Sequence, residues 1–139
     1  MSEKPLVSVF MITYNHEKFI AQAIEGVLMQ KTNFPFELII GEDCSTDRTR
    51  EIVVDYAQRF PEIIKPILHE KNVGMKSNMN TCMQACSGKY TAICEGDDYW
   101  IDSLKLQKQV GFLEAHSDFS MCSTQSPKLN SLARMSNSR

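Results

Sequence analysis

Several features that mark large protein classes are missing from this sequence. No apolar run approaches the ~20 residues that a membrane-spanning helix needs, and the 15 lysines and arginines are scattered among 17 acidic residues. The formal net charge of −2 leaves no basic surface for nucleic acid. Gly-rich loops of the GxxxxGK(S/T) or GxGxxG type do not occur, which argues against P-loop and dinucleotide-type phosphate sites.

A signal peptide is also missing from the first residues, MSEKPLVSVFMI. They lack the basic region, the long apolar run and the small-residue cleavage site of such a segment. We therefore expect a cytoplasmic protein without a transmembrane segment, with peripheral attachment to the inner face of the membrane as an option.

The cysteines do not form a disulfide framework, because their number, five, is odd and their spacing is irregular. Cys82 and Cys86 are four residues apart, so one face of a helix could present both as zinc ligands. The lack of a CxxC or HxxxH pair favours the alternative, in which both are small buried hydrophobic side chains.

What the sequence does contain is the pattern of a globular α/β chain. Hydrophobic residues make up 42% and charged residues 23% of the 139 residues, enough for one compact domain with a core. Short apolar runs alternate with stretches of helical periodicity, which predicts a layered fold with a mostly parallel sheet. Pro66 predicts that the third strand lies at an edge of the sheet or contains a bulge. The predicted strands are Leu6–Ile12, Phe36–Gly41, Ile63–Leu68 and Tyr90–Cys94, and the helices cover about 16–30, 47–60, 75–86 and 103–116.

Polar residues at the ends of these elements predict helix caps. The expected N-cap of the first helix is Asn15, that of the second is Ser45 or Thr46, and that of the fourth is Asp102. Gly88 is expected to close the third helix. A further strand is expected to begin near residue 119. Residues 123–139 are rich in Ser and Asn without periodicity, so we expect a tail that is disordered or a non-native continuation, after a domain over residues 1–122.

Three polar clusters follow predicted strands: residues 13–15 (TYN), 42–47 (EDCSTD) and 95–98 (EGDD). Ligands of open α/β sheets bind beyond the carboxyl ends of the strands, where these clusters converge. Their carboxylates would repel a bare phosphate but suit a hard divalent cation that bridges to a diphosphate. Tyr14 offers a flat face for a base, and the remaining carboxylates can accept hydrogen bonds from a ribose or a base N–H.

Five stretches together resemble the family 2 inverting glycosyltransferases, which have the GT-A fold. These stretches are VSVFMITYN (7–15), ELIIGEDCSTDRT (37–49), NVG (72–74), SGKYTAICEGDDYW (87–100) and DSLKLQKQVGFLE (102–114). They keep the family's order and spacing over roughly residues 5–120. The resemblance implies a Rossmann-like three-layer α/β/α sandwich, truncated, whose residues 1–122 bind a nucleotide sugar.

The resemblance also implies roles for single residues. Thr13 and Tyr14 would line the base pocket, and Asp43 would hydrogen-bond the base. Asp97 would contact the ribose or the metal, and Asp98 would coordinate Mg²⁺ or Mn²⁺ on the donor diphosphate.

Asn15 is included with the same donor-binding turn. The sequence departs from the family at Glu42 and Glu95, where Asp is more usual. Met79 occupies the position of a usual arginine, and Lys76 would supply that positive charge near the phosphates.

The implied reaction is transfer of a sugar, with inversion and metal assistance, from a nucleoside-diphosphate sugar, expected to be a UDP-sugar. The acceptor would be a hydroxyl of a glycan or lipid-linked molecule in polysaccharide or surface-glycan synthesis, and a homodimer is left open. An inverting displacement needs a base, and none of the carboxylates matches it. We therefore expect the base beyond the end of this chain, which would be the donor-binding portion of a truncated or frame-altered product.

Two other functions stay open. A chain without the base could be a non-catalytic module that binds nucleotide and metal. A nucleotidyltransferase also uses acidic metal ligands, but it would need a Gly-rich basic loop after the first strand, where TYNHEKF stands.

The histidines and two aromatic residues have no role in these functions that the sequence fixes. His16, His69 and His116 have no partner at ligand spacing and are expected at the surface or at helix ends. Trp100 and Tyr99 are expected either in the core or beside the sugar.

Overall fold

The computed structural model of the protein describes residues 4–116, 121–125 and 132–137. Strands and helices alternate along the chain as the apolar pattern predicts, and every predicted element is present. The elements are β1 (Val7–Thr13), α1 (Ile20–Leu28), β2 (Phe36–Glu42), α2 (Thr49–Arg59), β3 (Ile64–Leu68), α3 (Met75–Ala85), β4 (Tyr90–Ile93), α4 (Lys105–Ala115), β5 (Met121–Gln125) and β6 (Leu132–Asn137).

The strands form one sheet in the order β3-β2-β1-β4-β6-β5. The first four are parallel to one another, whereas β6 runs antiparallel to β4, and β5 antiparallel to β6. The prediction of an α/β fold with a mostly parallel sheet is therefore confirmed. Pro66 lies in β3, at one edge of the sheet, because a residue without a backbone N–H cannot serve a neighbour on both sides.

Two apolar clusters, one on each face of the sheet, make up the core. Alternate residues of β1 point to opposite faces: Val7, Val9 and Met11 pack with α1, α2 and α4. Phe10 and Ile12 pack on the other side with α3, through Cys82. Helices therefore cover both faces, which gives the three layers that the family resemblance implied.

The predicted N-caps are wrong for α1 and α2. The two helices begin at Ile20 and Thr49, with no hydrogen bond from a capping side chain. Asn15 and Ser45 precede these starts by several residues and bond to the neighbouring loop instead. Local sequence could not show this competition, because the partners are about 30 residues apart.

The prediction for α4 and α3 differs in detail. Asp102 does accept the backbone N–H of Leu104 through Oδ1 at 2.9 Å, but the helix itself begins at Lys105. Gly88 does not close α3, which ends at Ala85. A Cβ at Gly88 would lie 2.8 Å from the Leu6 carbonyl oxygen, so this glycine is needed where the chain passes close to β1.

Two strands occupy part of the segment that the sequence predicts to be a loose tail. β5 begins near the expected strand start, and β6 pairs with β4 from Tyr90–Asn137 to Ile93–Arg134. This pairing uses backbone groups of β4 that would otherwise lie at a sheet edge, an interaction that side-chain pattern does not reveal. The other tail positions lie outside the described residues, and the division of the chain at residue 122 stays a prediction.

Within the described ranges, no helix is long and apolar enough to cross a membrane. Cys82 and Cys94 are buried and Cys86 is half-buried, all as free thiols. No group of three or more potential metal ligands occurs among the described side chains. The burial of Cys82 is what the interpretation as a small hydrophobic side chain expects.

Candidate functional site

A cavity of about 410 Å³ opens where β1, β2 and β4 end. Each of the three polar clusters that follow these strands contributes to its wall, and the segment leading into α3 completes it. The convergence predicted from the order of the elements is therefore present. The cavity is lined by Ile12, Thr13, Tyr14, His16, Asp43, Asn72, Gly74, Met75, Asn78, Glu95 and Asp97.

The turn after β1 supplies the cavity with one buried and one exposed side chain. Thr13 is buried, and its carbonyl accepts the N–H of Asp43 at 3.1 Å. Tyr14 is 41% exposed although it lines the cavity, so its ring is open to a ligand. Thr13 ends β1 and Tyr14 follows it directly; their contact with a base stays a prediction.

Asn15 joins the first turn to the second loop instead of lining the cavity. It adopts a positive φ of 55°, a conformation that Asn tolerates better than most residues. Its Oδ1 accepts the N–H of Thr46 at 2.8 Å, and its own N–H donates to Ser45 Oγ at 2.9 Å. Its role as a donor-binding residue stays a prediction; the structure gives it a role in holding two loops together.

Asp47 adds further bonds between the same loops. Its Oδ2 accepts the N–H of Glu17 at 3.2 Å, and its Oδ1 accepts the N–H of Thr49 at 2.9 Å. Burial acts to raise the pKa of Asp47, but the hydroxyl and N–H of Thr49 and the N–H of Glu17 outweigh it, so the pKa lies below its usual value. The carboxylate therefore stays charged and keeps both loops in register.

Glu42 is fully buried and does not face the cavity. Its Oε1 accepts a hydrogen bond from Arg50 Nε at 2.8 Å, and its Oε2 accepts the N–H of Ser45 at 3.1 Å as well as the Ser45 hydroxyl. A buried carboxylate needs such partners to offset its lost hydration. The carboxylate of Glu42, which is longer than the Asp usual in the family, thus stabilises the loop through Arg50 and Ser45.

Asp43 lines the cavity and is only 3% exposed. Its Oδ1 accepts the N–H of Val73 at 2.8 Å, and its Oδ2 accepts the N–H of Gly74 at 3.0 Å. Asn72 donates through Nδ2 to the Asp43 carbonyl at 3.1 Å. The NVG stretch is thereby fixed against the second loop, and it brings the start of α3 to the cavity.

Gly96 allows the third cluster to approach β1. Its N–H donates to the carbonyl of Ile12 at 3.1 Å. A Cβ there would lie 2.5 Å from Thr13 Oγ1 and 2.8 Å from His16 Nδ1, closer than any side chain tolerates. The glycine of EGDD is therefore required for the contact that brings Glu95 and Asp97 to the cavity.

Asp98 and Lys76 lie outside the cavity lining. Asp98 is half-buried, and its Oδ1 accepts the N–H of Tyr99 at 2.7 Å. Lys76 is exposed in the first turn of α3. Burial, followed by the negative charge of Asp98, raises the pKa of the Cys94 thiol. The predicted roles of Asp98 and Lys76 stay predictions.

The residues present fit a magnesium or manganese ion in part. Glu95 and Asp97 supply carboxylate oxygens to one cavity, and Mg²⁺ in proteins is usually held by one or two carboxylates together with substrate phosphates. The described residues contain no cluster of three ligands, so the protein's own groups would form an incomplete shell that a diphosphate could complete.

Several residues of the lining were not among the predicted site residues: His16, Asn72, Met75, Asn78 and Glu95. Asn78 is buried, donates to the Gly41 carbonyl at 2.9 Å and lies 2.9 Å from His69 Nε2. His16 was expected at the surface or at a helix end; it lies in the turn that leads into α1 and is half-buried in the cavity wall. Its position next to TYN was the one available signal. Trp100 is buried in the core.

Comparison with known proteins agrees with this geometry. The family model described as Glycosyl transferase family 2 matches residues 8–139. An uncharacterized protein of Mycobacterium tuberculosis is 45% identical over 84% of this chain and 34% of its own length. TuaG of Bacillus subtilis, by its name a candidate glycosyltransferase of teichuronic acid biosynthesis, is 37% identical over 82% of this chain and 44% of its own length.

Solved structures show the same fold. TarS residues 1–349 from S. aureus, in complex with UDP, align with a TM-score of 0.68 and 30% identity, over 80% of this chain and 32% of that one. The mannosyltransferase PcManGT from Pyrobaculum calidifontis, in complex with GDP-Man and Mn²⁺, aligns with a TM-score of 0.79 and 19% identity, over 97% of this chain and 45% of that one. The chain thus spans less than half the length of the relatives it matches. By its family match and by its GT-A fold, the chain belongs to glycosyl transferase family 2.

Proposed function

We propose that this chain is the donor-binding part of a glycosyltransferase that takes a sugar from a UDP-sugar and transfers it, with inversion, to an acceptor hydroxyl. The acceptor is a glycan or a lipid-linked molecule in polysaccharide or surface-glycan synthesis, and the reaction takes place in the cytoplasm. The single observation that carries the proposal is the cavity at the carboxyl edge of the sheet, where Thr13, Tyr14, Asp43 and Asp97 meet.

Each of these residues has a role that its environment supports. The exposed ring of Tyr14 stacks on the base, beside the buried Thr13. Asp43 already accepts two N–H groups, and a carboxylate has about four lone-pair sites, so it can accept a third from the base. Asp97 lies on the opposite wall, beyond β4, within reach of the ribose or the diphosphate.

A divalent cation is part of the proposal. When bound, Mg²⁺ or Mn²⁺ supplies Lewis-acid stabilisation of the leaving nucleoside diphosphate. Asp97 and Glu95 are the residues of this chain that would hold it, together with Asp98 if its carboxylate turns away from the Tyr99 N–H. Support comes from PcManGT, a protein of the same fold that was solved with Mn²⁺.

Calorimetry of the chain with UDP, with and without Mn²⁺, tests the proposal. We expect UDP to bind more tightly with Mn²⁺, and Asp97→Asn to remove most of this difference, because one of two carboxylates is lost. Asp98→Asn measures whether the half-buried carboxylate takes part.

Asp55→Asn is the matched control, since Asp55 is an exposed residue of α2 whose neighbour is Arg59 at 3.2 Å. It should bind UDP as the wild type does. Equal UDP affinity with and without Mn²⁺ in the wild type would rule out the bridging cation, and no UDP binding at all would rule out the donor site.

The remaining alternative is a nucleotide-binding module without turnover. In this alternative the cavity binds the sugar nucleotide, but no residue of the chain takes the proton of the acceptor hydroxyl. A turnover assay with UDP-sugars separates the two functions. We expect little or no transfer by this chain alone, and transfer by a protein that continues as its relatives do.

A further inference from the structure

We propose that His16 is a donor-binding residue that contacts the diphosphate of the sugar nucleotide through its Nε2 atom. The inference deepens the proposed function and rests on it, because it assumes that the cavity binds a nucleoside diphosphate. The residue follows the TYN turn directly and forms part of the cavity wall.

The orientation of the His16 ring is fixed from several sides. Nδ1 lies 2.9 Å from Thr13 Oγ1, and Gly96 passes so close that a Cβ there would be 2.8 Å from the same nitrogen. The backbone N–H donates to Thr49 Oγ1 at 2.8 Å, and the carbonyl accepts the N–H of Ile20 at 2.8 Å. The side chain is thus held at its Nδ1 edge, and Nε2 is the ring atom left for a ligand.

The opposite edge of the ring has no protein partner within the described part of the chain. Thr13 Oγ1 can donate to Nδ1, and in that tautomer Nε2 carries the proton and is a hydrogen-bond donor. An anionic ligand stabilises this tautomer over the alternative, in which Nε2 would be an acceptor. A phosphate oxygen is therefore the partner that matches the ring as it is held.

The lining of the cavity is acidic, which makes a hydrogen-bond donor such as His16 important for binding a diphosphate. Asp43, Glu95 and Asp97 line it, and all three repel a diphosphate. Among the residues described, the lining contains no lysine or arginine. His16 is the lining side chain that can donate a hydrogen bond from an imidazole, neutral or charged, and such bonds to charged acceptors are stronger than neutral ones. Together with a cation, it would offset the repulsion.

The test compares two ligands that differ in the diphosphate, UDP and uridine, by calorimetry of the whole chain. Asn can keep a polar atom against Thr13 but has none at the Nε2 position, whereas Gln reaches that position. We expect His16→Asn to weaken UDP binding about tenfold or more and uridine binding less than about twofold. His16→Gln should recover most of the UDP affinity. The effect should be the same in Mn²⁺ and in EDTA, because it does not act through the cation.

His116→Asn is the matched control, since His116 is exposed beyond the end of α4 and its Nδ1 lies 2.9 Å from the Phe112 carbonyl. Thermal unfolding of each variant establishes that it is folded. Equal weakening of UDP and uridine, a loss seen only with Mn²⁺, or no loss in His16→Asn would each overturn the inference and leave the donor site intact. A wild-type chain that binds neither ligand would overturn the proposed function and this inference together.

Discussion

In the proposed function, Asp43 uses one carboxylate for two purposes. It fixes the NVG stretch by accepting the N–H groups of Val73 and Gly74, and in the proposed function it accepts a further hydrogen bond from the base. The first function positions the start of α3, where Gly74 has a φ of +91°. In the proposed function, a single acidic residue after β2 therefore both shapes the cavity and takes part in binding.

Asp43→Asn keeps a polar side chain of nearly the same size but replaces one acceptor oxygen with an NH₂ group. The amide group presents an NH₂ to one of the two backbone N–H groups, which leaves a buried donor without an acceptor. We expect a loss of about 1–3 kcal/mol in the free energy of unfolding and UDP binding at least about tenfold weaker. Urea denaturation and calorimetry measure the two effects. The exposed variant Asp55→Asn should change stability by less than about 0.5 kcal/mol, and an equal effect of both variants would contradict the account.

At the scale of elements, α3 owes its position to a glycine in the neighbouring strand. The side chains of Asn78 and Cys82 fill the space beside Gly41, where a Cβ would lie 2.5 Å from Cys82 Sγ and closer still to Asn78 Oδ1. Asn78 donates to the Gly41 carbonyl at 2.9 Å. Because Asn78 also lines the cavity, the packing of α3 against β2 positions one side chain of the cavity wall.

Gly41→Ala and Gly111→Ala form a matched pair. The first forces α3 away from β2, and we expect it to lower the free energy of unfolding by about 1–3 kcal/mol and to weaken UDP binding. Gly111 lies exposed within α4, and a Cβ added there would meet no other atom within 4 Å, so the alanine should raise stability by about 0.5–1 kcal/mol. Urea denaturation compares them, and a destabilising Gly111→Ala or a neutral Gly41→Ala would refute the packing argument.

At the scale of the whole molecule, the layers on both faces of the sheet enclose the thiols of the α3 side. Burial raises the pKa of Cys82 to about 11 and that of Cys86 to about 12. Each thiol therefore has less of the reactive thiolate at neutral pH than an exposed cysteine. Their chemical reactivity reports whether the helix layer is in place.

Alkylation by iodoacetamide at pH 8 measures this protection. Because pH 8 lies well below the raised pKa of each thiol, both stay protonated and contain much less thiolate than an exposed cysteine does. We expect Cys82 and Cys86 to be modified slowly in the native chain and rapidly in urea, as determined by mass spectrometry of the peptides. Fast modification of Cys82 without denaturant would mean that α3 does not pack as described.

The sequence predicted the elements well and their ends less well. Each predicted strand and helix is present. Apolar periodicity marks the face that an element buries, and every element of these layers buries one face or both. Caps were mistaken at Asn15 and Ser45, because those side chains bond to one another's loops across about 30 residues. Of the predicted site residues, Thr13, Tyr14, Asp43 and Asp97 line the cavity.

The alternation of strands and helices and the convergence of three polar clusters were determined by the sequence alone, since buried parallel strands bring their carboxyl ends to one edge. Tertiary structure decided which side chains face the cavity. Glu42 and Asp43 are adjacent, yet the first is bound to Arg50 inside the loop and the second lines the site. The pleat sends neighbouring residues to opposite faces, and what each one meets there depends on chain segments that are distant in sequence.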